Sequence, residues 1–431
     1  MPRCGSAWPS CSAAWAWTAP PAASRPSRTG RKPGGQPGHK GATLRRTDKP
    51  DHVEDHWPQR CGDCDAALAE EDETGEAVAR QVFDLPEPTP PEVTEHRAHA
   101  CACAQCGATT RAEFPEGLRA PVQYGPRLGA VVVYLQAVHF LPEKRLVQLL
   151  RDLFGVALCG ATAAAMTRAA AERWQGCAAR VGEWIRTAAR VKHLDETGFR
   201  IAGSGQWLHV LSTKWLTCYR VSGRRGAVGK GLEGCLIHDC WGSYFGLEGV
   251  VHALCNAHIL RELQALVKFD KEGWAARMQH LLLRAWLAVR IARAKGVPLP
   301  RSLLERILRR YDELLEEALA CHRGLPPLAR GKRGRKKRRP GHNLASRLQQ
   351  RKAAVLRFLT DFEVPFTNNQ AEQDLRMMKL RMKISGCFRT VQGARDFATL
   401  RSVLSTVRKQ GLNAIEALLT PPDELFASLK F

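Results

Sequence analysis

The segment that decides the fold begins with VKHLDET at residues 191–197 and ends with GVVHALC at residues 249–255. It contains short apolar runs separated by turn-forming residues such as GSG (203–205) and SGRRG (222–226). This pattern predicts an α/β core in which a short helical turn near 224–232 interrupts a series of strands. The predicted strands are 191–195, 206–213, 216–221, 235–238 and 250–254.

Three acidic residues lie where these elements could bring them together. Asp195 is on the first predicted strand and Asp239 comes just after the fourth. If the two strands are neighbours in one sheet, both carboxylates lie at the same rim. Glu372, in TNNQAE (367–372), would come from a helix whose start is marked by a capping box, with Gln370 three residues after Thr367.

Carboxylates from three distant elements suit two Mg²⁺ or Mn²⁺ ions, which prefer oxygen ligands. Two such ions held about 4 Å apart activate a water or a 3′-hydroxyl and stabilise the leaving phosphate oxygen. We therefore predict a two-metal site for nucleic-acid cleavage, with Asp195, Asp239 and Glu372 as catalytic metal ligands. The alternative is a solvated ion pair between Glu372 and Arg376, with Asp239 as a surface residue after a strand.

The charge of the chain points to a polyanionic partner. Its net charge is +23, and no run of eighteen or more apolar residues offers a membrane span. We therefore expect double-stranded DNA as the partner and no association with a membrane. The alternative is a basic surface that serves only solubility. The residues predicted to contact DNA are Arg31, Lys32, Lys40, His258, Arg261, Lys332, Arg333, Arg335, Lys336, Lys337, Arg338, Arg339, Arg376, Lys379 and Lys383.

These cations fall into four groups. Arg31, Lys32 and Lys40 lie in a Gly/Pro-rich arm, and a loop at 330–339 carries eight basic residues in ten. His258 and Arg261 begin a helix after the fifth strand, where they would touch substrate phosphate or simply pack. The last group, on the helix of Glu372, follows it by four, seven and eleven residues and so shares its face.

Two pairs of cysteines have the spacing of zinc ligands. Cys61 and Cys64 form one C-x2-C pair, and Cys103 and Cys106 form the other. Pairs of this kind suit one structural Zn²⁺ in tetrahedral geometry, with Cys101 as an alternative to Cys103 and reduced, unligated thiols as the other interpretation. Most of the fifteen cysteines are scattered singly, which is typical of reduced thiols, and no export signal is present. We expect a cytoplasmic protein.

The chain is organised in seven regions by composition and pattern. Residues 1–28 have no helical or strand period and read as a processed leader or an out-of-register start. Residues 115–190 are predicted to form a helical bundle with helix breaks at Pro142 and Gly155. A turn in this bundle could belong to a helix-turn-helix, with Thr162 as an N-cap. The regions are 1–28, atypical start; 29–50, basic arm; 51–114, Cys4 zinc-binding region; 115–190, helical bundle that could bind DNA; 191–256, core strands; 257–365, helical insertion with the basic loop 330–339; and 366–431, glutamate helix and C-terminal helices.

Several motifs together give the chain a family resemblance. They are HLDET (193–197), Asp239 with the region of Tyr244, CNAHxxREL (255–263), NNxAExxLR (368–376) and GRKPGGQPGHKG (30–41). From about residue 29 to 425 the chain resembles the transposases of the insertion sequence 66 family. Members of that family begin with a leucine-rich helical segment and a polar Ser/Pro linker, a pattern to which residues 1–28 are foreign.

The resemblance implies an RNase H-like mixed sheet with a DDE triad, interrupted by a helical insertion between the last strand and the glutamate helix. It also implies a zinc-finger-like region at the paired cysteines. The implied activity is metal-dependent cleavage and strand transfer at the ends of an insertion sequence. The implied partners are the terminal inverted repeats, target DNA, further copies of the chain in a homo-oligomer and helper proteins of the same element.

Two other functions remain open from the sequence. His258 and Arg261 have the H-x-x-R spacing of recombinases that attack DNA with a tyrosine, and Tyr311 is the tyrosine that follows them. A zinc-dependent DNA-binding regulator, in which the acidic residues are only structural, is the alternative from another class.

Overall fold

The computed structural model describes residues 44–75, 78–227, 231–326, 328 and 338–431. The chain divides into two units, Met1–Glu87 and Pro88–Phe431. The predicted start at 1–28, most of the basic arm and most of the loop 330–339 lie outside the described residues, and so do Arg31, Lys32, Lys40 and the predicted cations between 332 and 337.

The first unit contains little regular structure in its described residues. A short 3₁₀ turn covers Glu70–Asp72, and an isolated bridge joins Arg60 to Ala67 around the first cysteine pair. Cys61 donates its backbone N–H to Ala66 O at 2.8 Å and accepts one from Asp65 at 3.1 Å.

The second unit is built on a five-stranded mixed sheet. Its strands are β3 Val191–Ile201, β4 Ser204–Ser212, β5 Thr217–Ser222, β6 Gly234–His238 and β7 Val250–Leu254, preceded by a separate hairpin of β1 Ala100–Ala102 and β2 Thr109–Arg111. Along the sheet the strand order is β5-β4-β3-β6-β7. Strands β3, β4 and β5 form an antiparallel meander, whereas β6 and β7 run parallel to β3.

The five predicted strands are present, with two differences. The first strand does not stop at Asp195 but continues to Ile201, because it pairs with β4 along its whole length. The helical turn expected near 224–232 is absent from the described part of that segment, which is 224–227 and 231–232.

Helices cover both faces of the sheet. On one face a cluster of apolar side chains joins the sheet to α9 and α10, and on the other face a second cluster joins it to α3. Successive side chains on a strand point to opposite faces, so Val210 packs in the first cluster and Leu211 in the second. The helices are α1 Pro126–Ala137, α2 Glu143–Phe154, α3 Gly160–Thr187, α4 Asn256–Ala265, α5 Gly273–Ala294, α6 Arg301–Arg323, α7 Pro340–Gln350, α8 Lys352–Val355, α9 Asn369–Ser385, α10 Val391–Lys409, α11 Ala414–Leu419 and α12 Pro422–Ser428.

The helices α4–α8 lie between β7 and α9 in the sequence and share a hydrophobic core of their own. Its largest buried side chains include Trp274, Tyr311 and Phe358. The helix breaks at Pro142 and Gly155 separate α1, α2 and α3 as predicted. The predicted N-cap Thr162 is wrong: Cys159 is the capping residue, and its Sγ accepts the N–H of Thr162.

Gly234 is the position where the backbone most constrains the sheet. It opens β6 with φ of +76°, and a Cβ there would lie 2.8 Å from Arg190 O and 3.1 Å from Ala189 O. Those neighbours are backbone atoms at the entry to β3, so they cannot move without shifting the strand that carries Asp195.

We predict that Gly234→Ala lowers the free energy of unfolding by about 2–4 kcal/mol, because left-handed strain and a backbone clash add. Gly203→Ala is the matched control, since Gly203 has φ of +81° with no atom within 4 Å of the added Cβ. It should cost only about 1–2 kcal/mol. Urea unfolding followed by circular dichroism measures both, and equal losses would contradict the prediction.

Candidate active site

The pairing of β3 with β6 places two acidic side chains beside each other. The strands are parallel neighbours, with His193 opposite Ile237. Two residues further on, in the same register, come Asp195 and Asp239. Asp195 lies on the same face of β3 as His193, and Asp239 follows His238, the last residue of β6, close enough for its charge to act on Asp195.

Glu372 reaches this edge from α9. The helix packs on the sheet through Ala371, Leu375 and Met378, which are buried, and Glu372 keeps 25% of its side chain exposed. Its Oε1 lies 3.6 Å from His258 Nδ1 and 3.5 Å from an Nη of Arg261. Glu372 thus projects from α9 towards the first turns of α4, where it contacts both predicted cations, His258 and Arg261.

Asp195 lies in surroundings that disfavour its negative charge. Burial is the main cause that raises the pKa of Asp195 to about 6, and the charges of Asp239 and Glu372 add to it. The N–H of Glu196 opposes this rise by donating to Asp195 Oδ1 at 2.8 Å. Asp195, Asp239 and Glu372 offer carboxylate oxygens, which are the ligands that hard divalent cations prefer.

Asn368 fixes the distance between α9 and β3. Its side chain is buried, donates from Nδ2 to Leu194 O at 2.8 Å and faces His193 Nδ1 with Oδ1, also at 2.8 Å. Because the amide oxygen can only accept, His193 Nδ1 carries the hydrogen, and burial lowers the pKa of His193. The backbone N–H of Asn368 donates to Cys255 Sγ at 3.1 Å.

The predicted capping box at the start of this helix is wrong. Asn368 is the residue before the helix, and no side-chain capping hydrogen bond is made there. Its amide instead binds the strand of Asp195, so tertiary contacts replace the local cap. Asn256 has the same role for α4: it is buried, its N–H donates to Phe366 O and its Nδ2 to Val355 O, both at 3.0 Å.

Glu196, the neighbour of Asp195 on β3, has a different role. It lies on the opposite face, where His209 and Arg225 hold its carboxylate at 3.0 and 2.6 Å. Although burial opposes the change, the contact with His209 and hydrogen bonds from Arg225 and the N–H of Gly226 lower the pKa of Glu196 to about 2. This carboxylate is already satisfied and belongs to the scaffold.

Cys255, His258 and Glu372 form a further group. Their potential ligand atoms all lie within 4.8 Å of one another. Cys255 is buried, burial raises the pKa of its thiol, and the sulfur already accepts the N–H of Asn368. The thiol thereby helps to hold α9 in place. His258 and Glu372 lie at the edge of the sheet near Asp195 and Asp239, which we call the acidic edge.

The remaining predicted cations on α9 do not enter this cluster. Arg376, Lys379 and Lys383 are exposed and follow Glu372 along the helix. Arg339 binds Pro326 O at 3.0 Å, and Arg338 is exposed.

Tyr311 lies away from solvent. It is fully buried in the core of α4–α8 and donates its hydroxyl to Leu348 O at 3.0 Å. Burial also raises its pKa above that of an ordinary tyrosine. These properties speak against a tyrosine nucleophile, because the hydroxyl cannot meet a phosphate.

The two cysteine pairs each form the same kind of turn within their own unit. Cys103 donates its N–H to Ala108 O and accepts that of Gly107, both at 2.8 Å, in the turn between β1 and β2. Backbone N–H groups, chiefly of Asp63 for Cys61 and of Cys106 for Cys103, lower the pKa of these two thiols. Cys101, the alternative ligand, lies instead on strand β1, opposite Thr110.

Asn368→Ala should lower the free energy of unfolding by about 2–4 kcal/mol, because it removes a buried amide from Leu194 O and His193 Nδ1. Asn369→Ala is the control: the adjacent side chain is exposed and should cost under ~1 kcal/mol. Thermal and urea unfolding of the two variants make the comparison, and similar small losses would argue against the bridge.

The affinity for Mn²⁺ should rise with pH up to about 6 and then level off. Asp195 must lose its proton to bind a cation, so protons compete below its raised pKa, by about tenfold per pH unit. Isothermal titration of the full chain between pH 5 and 8 measures this dependence. Asp195→Asn should abolish this pH dependence. An affinity for Mn²⁺ that stays constant from pH 5 to 7 in the unmodified chain would contradict the prediction.

None of the described helices is long and apolar enough to cross a membrane. Comparison with known families gives two matches. A family described as "Transposase IS66 family" matches residues 121–396, which is well over half of the chain. A second, described as "zinc-finger binding domain of transposase IS66", matches residues 58–107. The chain matches no curated protein.

Proposed function

Because the chain belongs to the IS66 family of transposases, we propose that it cleaves and joins DNA at the ends of an insertion sequence by two-metal phosphoryl transfer. The proposed catalytic residues are Asp195, Asp239 and Glu372. The observation that carries the proposal is their arrival at one edge of the sheet from three elements, β3, the end of β6 and α9, that are far apart in the sequence.

The sheet supports an RNase H-like core. An antiparallel meander β3-β4-β5 is extended on the side of β3 by two parallel strands. In this arrangement β3 and β6, the first and fourth strands of the sheet in chain order, are neighbours. The first two acidic residues of a DDE triad would then be adjacent, and the third would come from the helix that follows the helical segment α4–α8.

Two Mg²⁺ or Mn²⁺ ions bound there would activate the attacking oxygen and stabilise the leaving one. Asp195 on β3 and Asp239 directly after the adjacent β6 would supply ligands from a rigid base. Glu372 closes the set from α9, where Asn368 holds it. His258 and Arg261 restrain the Glu372 carboxylate, and Arg261, which is 63% exposed, can also bind a DNA phosphate.

The DNA backbone would run along α9. Arg376, Lys379 and Lys383 present exposed charges after the acidic end of the helix, and such contacts position the duplex without reading its sequence. The basic arm and the loop 330–339 would add further phosphate contacts. Pairing two DNA ends needs two active sites, so we propose a homo-oligomer on DNA, acting in the cytoplasm with helper proteins of the element.

Zinc binding is supported by the matched zinc-finger domain. We propose Cys61, Cys64, Cys103 and Cys106 as the ligands of one Zn²⁺, on the strength of their spacing and of the lowered pKa of the first thiol in each pair. A closed Cys4 site leaves no open position, so its contribution would be to folding and DNA placement.

Asp195→Asn, Asp239→Asn and Glu372→Gln should each reduce Mn²⁺-dependent nicking of duplex DNA carrying the element's end at least about a hundredfold, ~2.7 kcal/mol of transition-state stabilisation. DNA binding should stay equal or become tighter, because each change removes a negative charge near phosphate. The effects should fail to add, since loss of any ligand dismantles the same site.

Glu248→Gln is the matched control, because this exposed carboxylate lies outside the acidic edge. It should nick as the unmodified chain does. Retention of more than about a tenth of the activity by Glu372→Gln would rule out its role as a metal ligand. Tight binding without any metal-dependent nicking by the unmodified chain would favour the DNA-binding regulator.

A further inference from the structure

We propose that a cavity beside Asp239 holds one unpaired nucleobase of the DNA strand that is being cut, with the indole of Trp241 as its stacking surface. The proposal rests on the proposed function, because it takes the acidic edge to be the place where the cleaved phosphate binds. It concerns a contact to a base, whereas the predicted cations contact phosphates.

The cavity has the size and lining for a single aromatic ring system. Its volume is about 210 Å³, below the roughly 300–1,000 Å³ of pockets that bury drug-sized ligands. Its walls combine apolar groups with a few polar ones, as base-binding pockets need. The apolar lining residues include Trp241, Leu254 and Ile259, and the polar ones are Asp239, His258 and Glu262.

Trp241 is held in place before any ligand arrives. Its backbone N–H donates to Asp239 Oδ1 at 3.1 Å, and the guanidinium of Arg225 lies 3.5 Å from the centre of its ring. Arg225 is itself bound to the buried Glu196 at 2.6 Å. Arg225 therefore covers one face of the ring, and a base would stack on the other face; Trp241 as a whole is 37% exposed. A restrained, exposed ring loses little freedom when a base stacks on it, which favours binding.

The location explains why the base would be unpaired. The same Asp239 that lines the cavity would bind the metal at the cleaved phosphate, so the cavity can only reach a nucleotide next to that phosphate. A base inside the duplex is covered on both faces by its neighbours and cannot enter a protein pocket. The nucleotide at the cleavage point must therefore leave the stack, and Trp241 would replace the lost stacking partner.

The experiment compares Trp241→Ala and Trp241→Phe in the full chain, using Mn²⁺-dependent nicking of a duplex that carries the element's end. Trp241→Ala should slow nicking about fivefold to a hundredfold, the range for loss of one base–aromatic stack, while Trp241→Phe keeps most of the rate. On duplexes with an abasic nucleotide on one side or the other of the cleaved phosphate, the defect of Trp241→Ala should shrink to within about twofold at one of these positions. A defect of the same size on every abasic duplex, or none on the intact one, would overturn the proposal.

A binding measurement tests the same contact without cleavage. Fluorescence anisotropy of a labelled oligothymidine and of an abasic strand of equal length should show tighter binding of the strand with bases, and Trp241→Ala should remove that preference. Phe269→Ala is the control, because Phe269 is 72% exposed but does not line the cavity, and it should leave both results unchanged. Equal affinity of the unmodified chain for the two strands would overturn the proposal. If Asp195→Asn nicks like the unmodified chain, the proposed function fails, and the anisotropy result still decides on the base contact.

Discussion

Backbone hydrogen bonds between two parallel strands, β3 and β6, set the geometry on which the acidic edge depends. They place the strand of Asp195 beside the strand that leads to Asp239, and Glu372 of α9 and His258 of α4 meet near the same edge. The helix α9 is drawn to the same place by its apolar face and by the amide of Asn368, which brings in Glu372. Gly234 matters for the same reason, because it lets β6 enter the sheet close to the end of α3.

Two adjacent residues on β3 show how the sheet separates chemistry from structure. Asp195 and Glu196 differ by one position, yet the pKa of the first is raised to about 6 and that of the second is lowered to about 2. The alternation of side chains across a strand puts the two carboxyl groups in different surroundings. Burial is the main cause of the raised pKa of Asp195, and the charges of Asp239 and Glu372 add to it, whereas Glu196 faces His209 and Arg225. The side of the sheet that carries Glu196 thus supplies ion pairs that stabilise the fold.

The sequence predicted the features that depend on local pattern. Alternating and continuous apolar runs identified all five strands of the sheet and placed Asp239 directly after the fourth, whereas Asp195 lies inside the first and not at its end. What could not be predicted depends on partners far away in the chain. Asn368 lies between Thr367 and Gln370, which were predicted to form a capping box, but its amide binds partners on β3, about 175 residues earlier. The length of β3 past Asp195 follows from pairing with β4, and the cavity beside Trp241 from the meeting of β6, β7 and α4, which no spacing rule reports.

The bridge from Asn368 to β3 also has a consequence for the time at which the acidic edge forms during synthesis. A ribosome releases β3 and β6 long before it has made α9, and the intervening α4–α8 can bury their own core in the meantime. Bringing α9 back to β3 closes a long loop of chain, which costs conformational entropy. Only the contacts that α9 makes once it has been synthesised offset this cost. Under the proposed function, a nascent or truncated chain that ends before residue 368 would carry Asp195 and Asp239 but lack Glu372, so it could not cleave DNA until its translation is nearly complete.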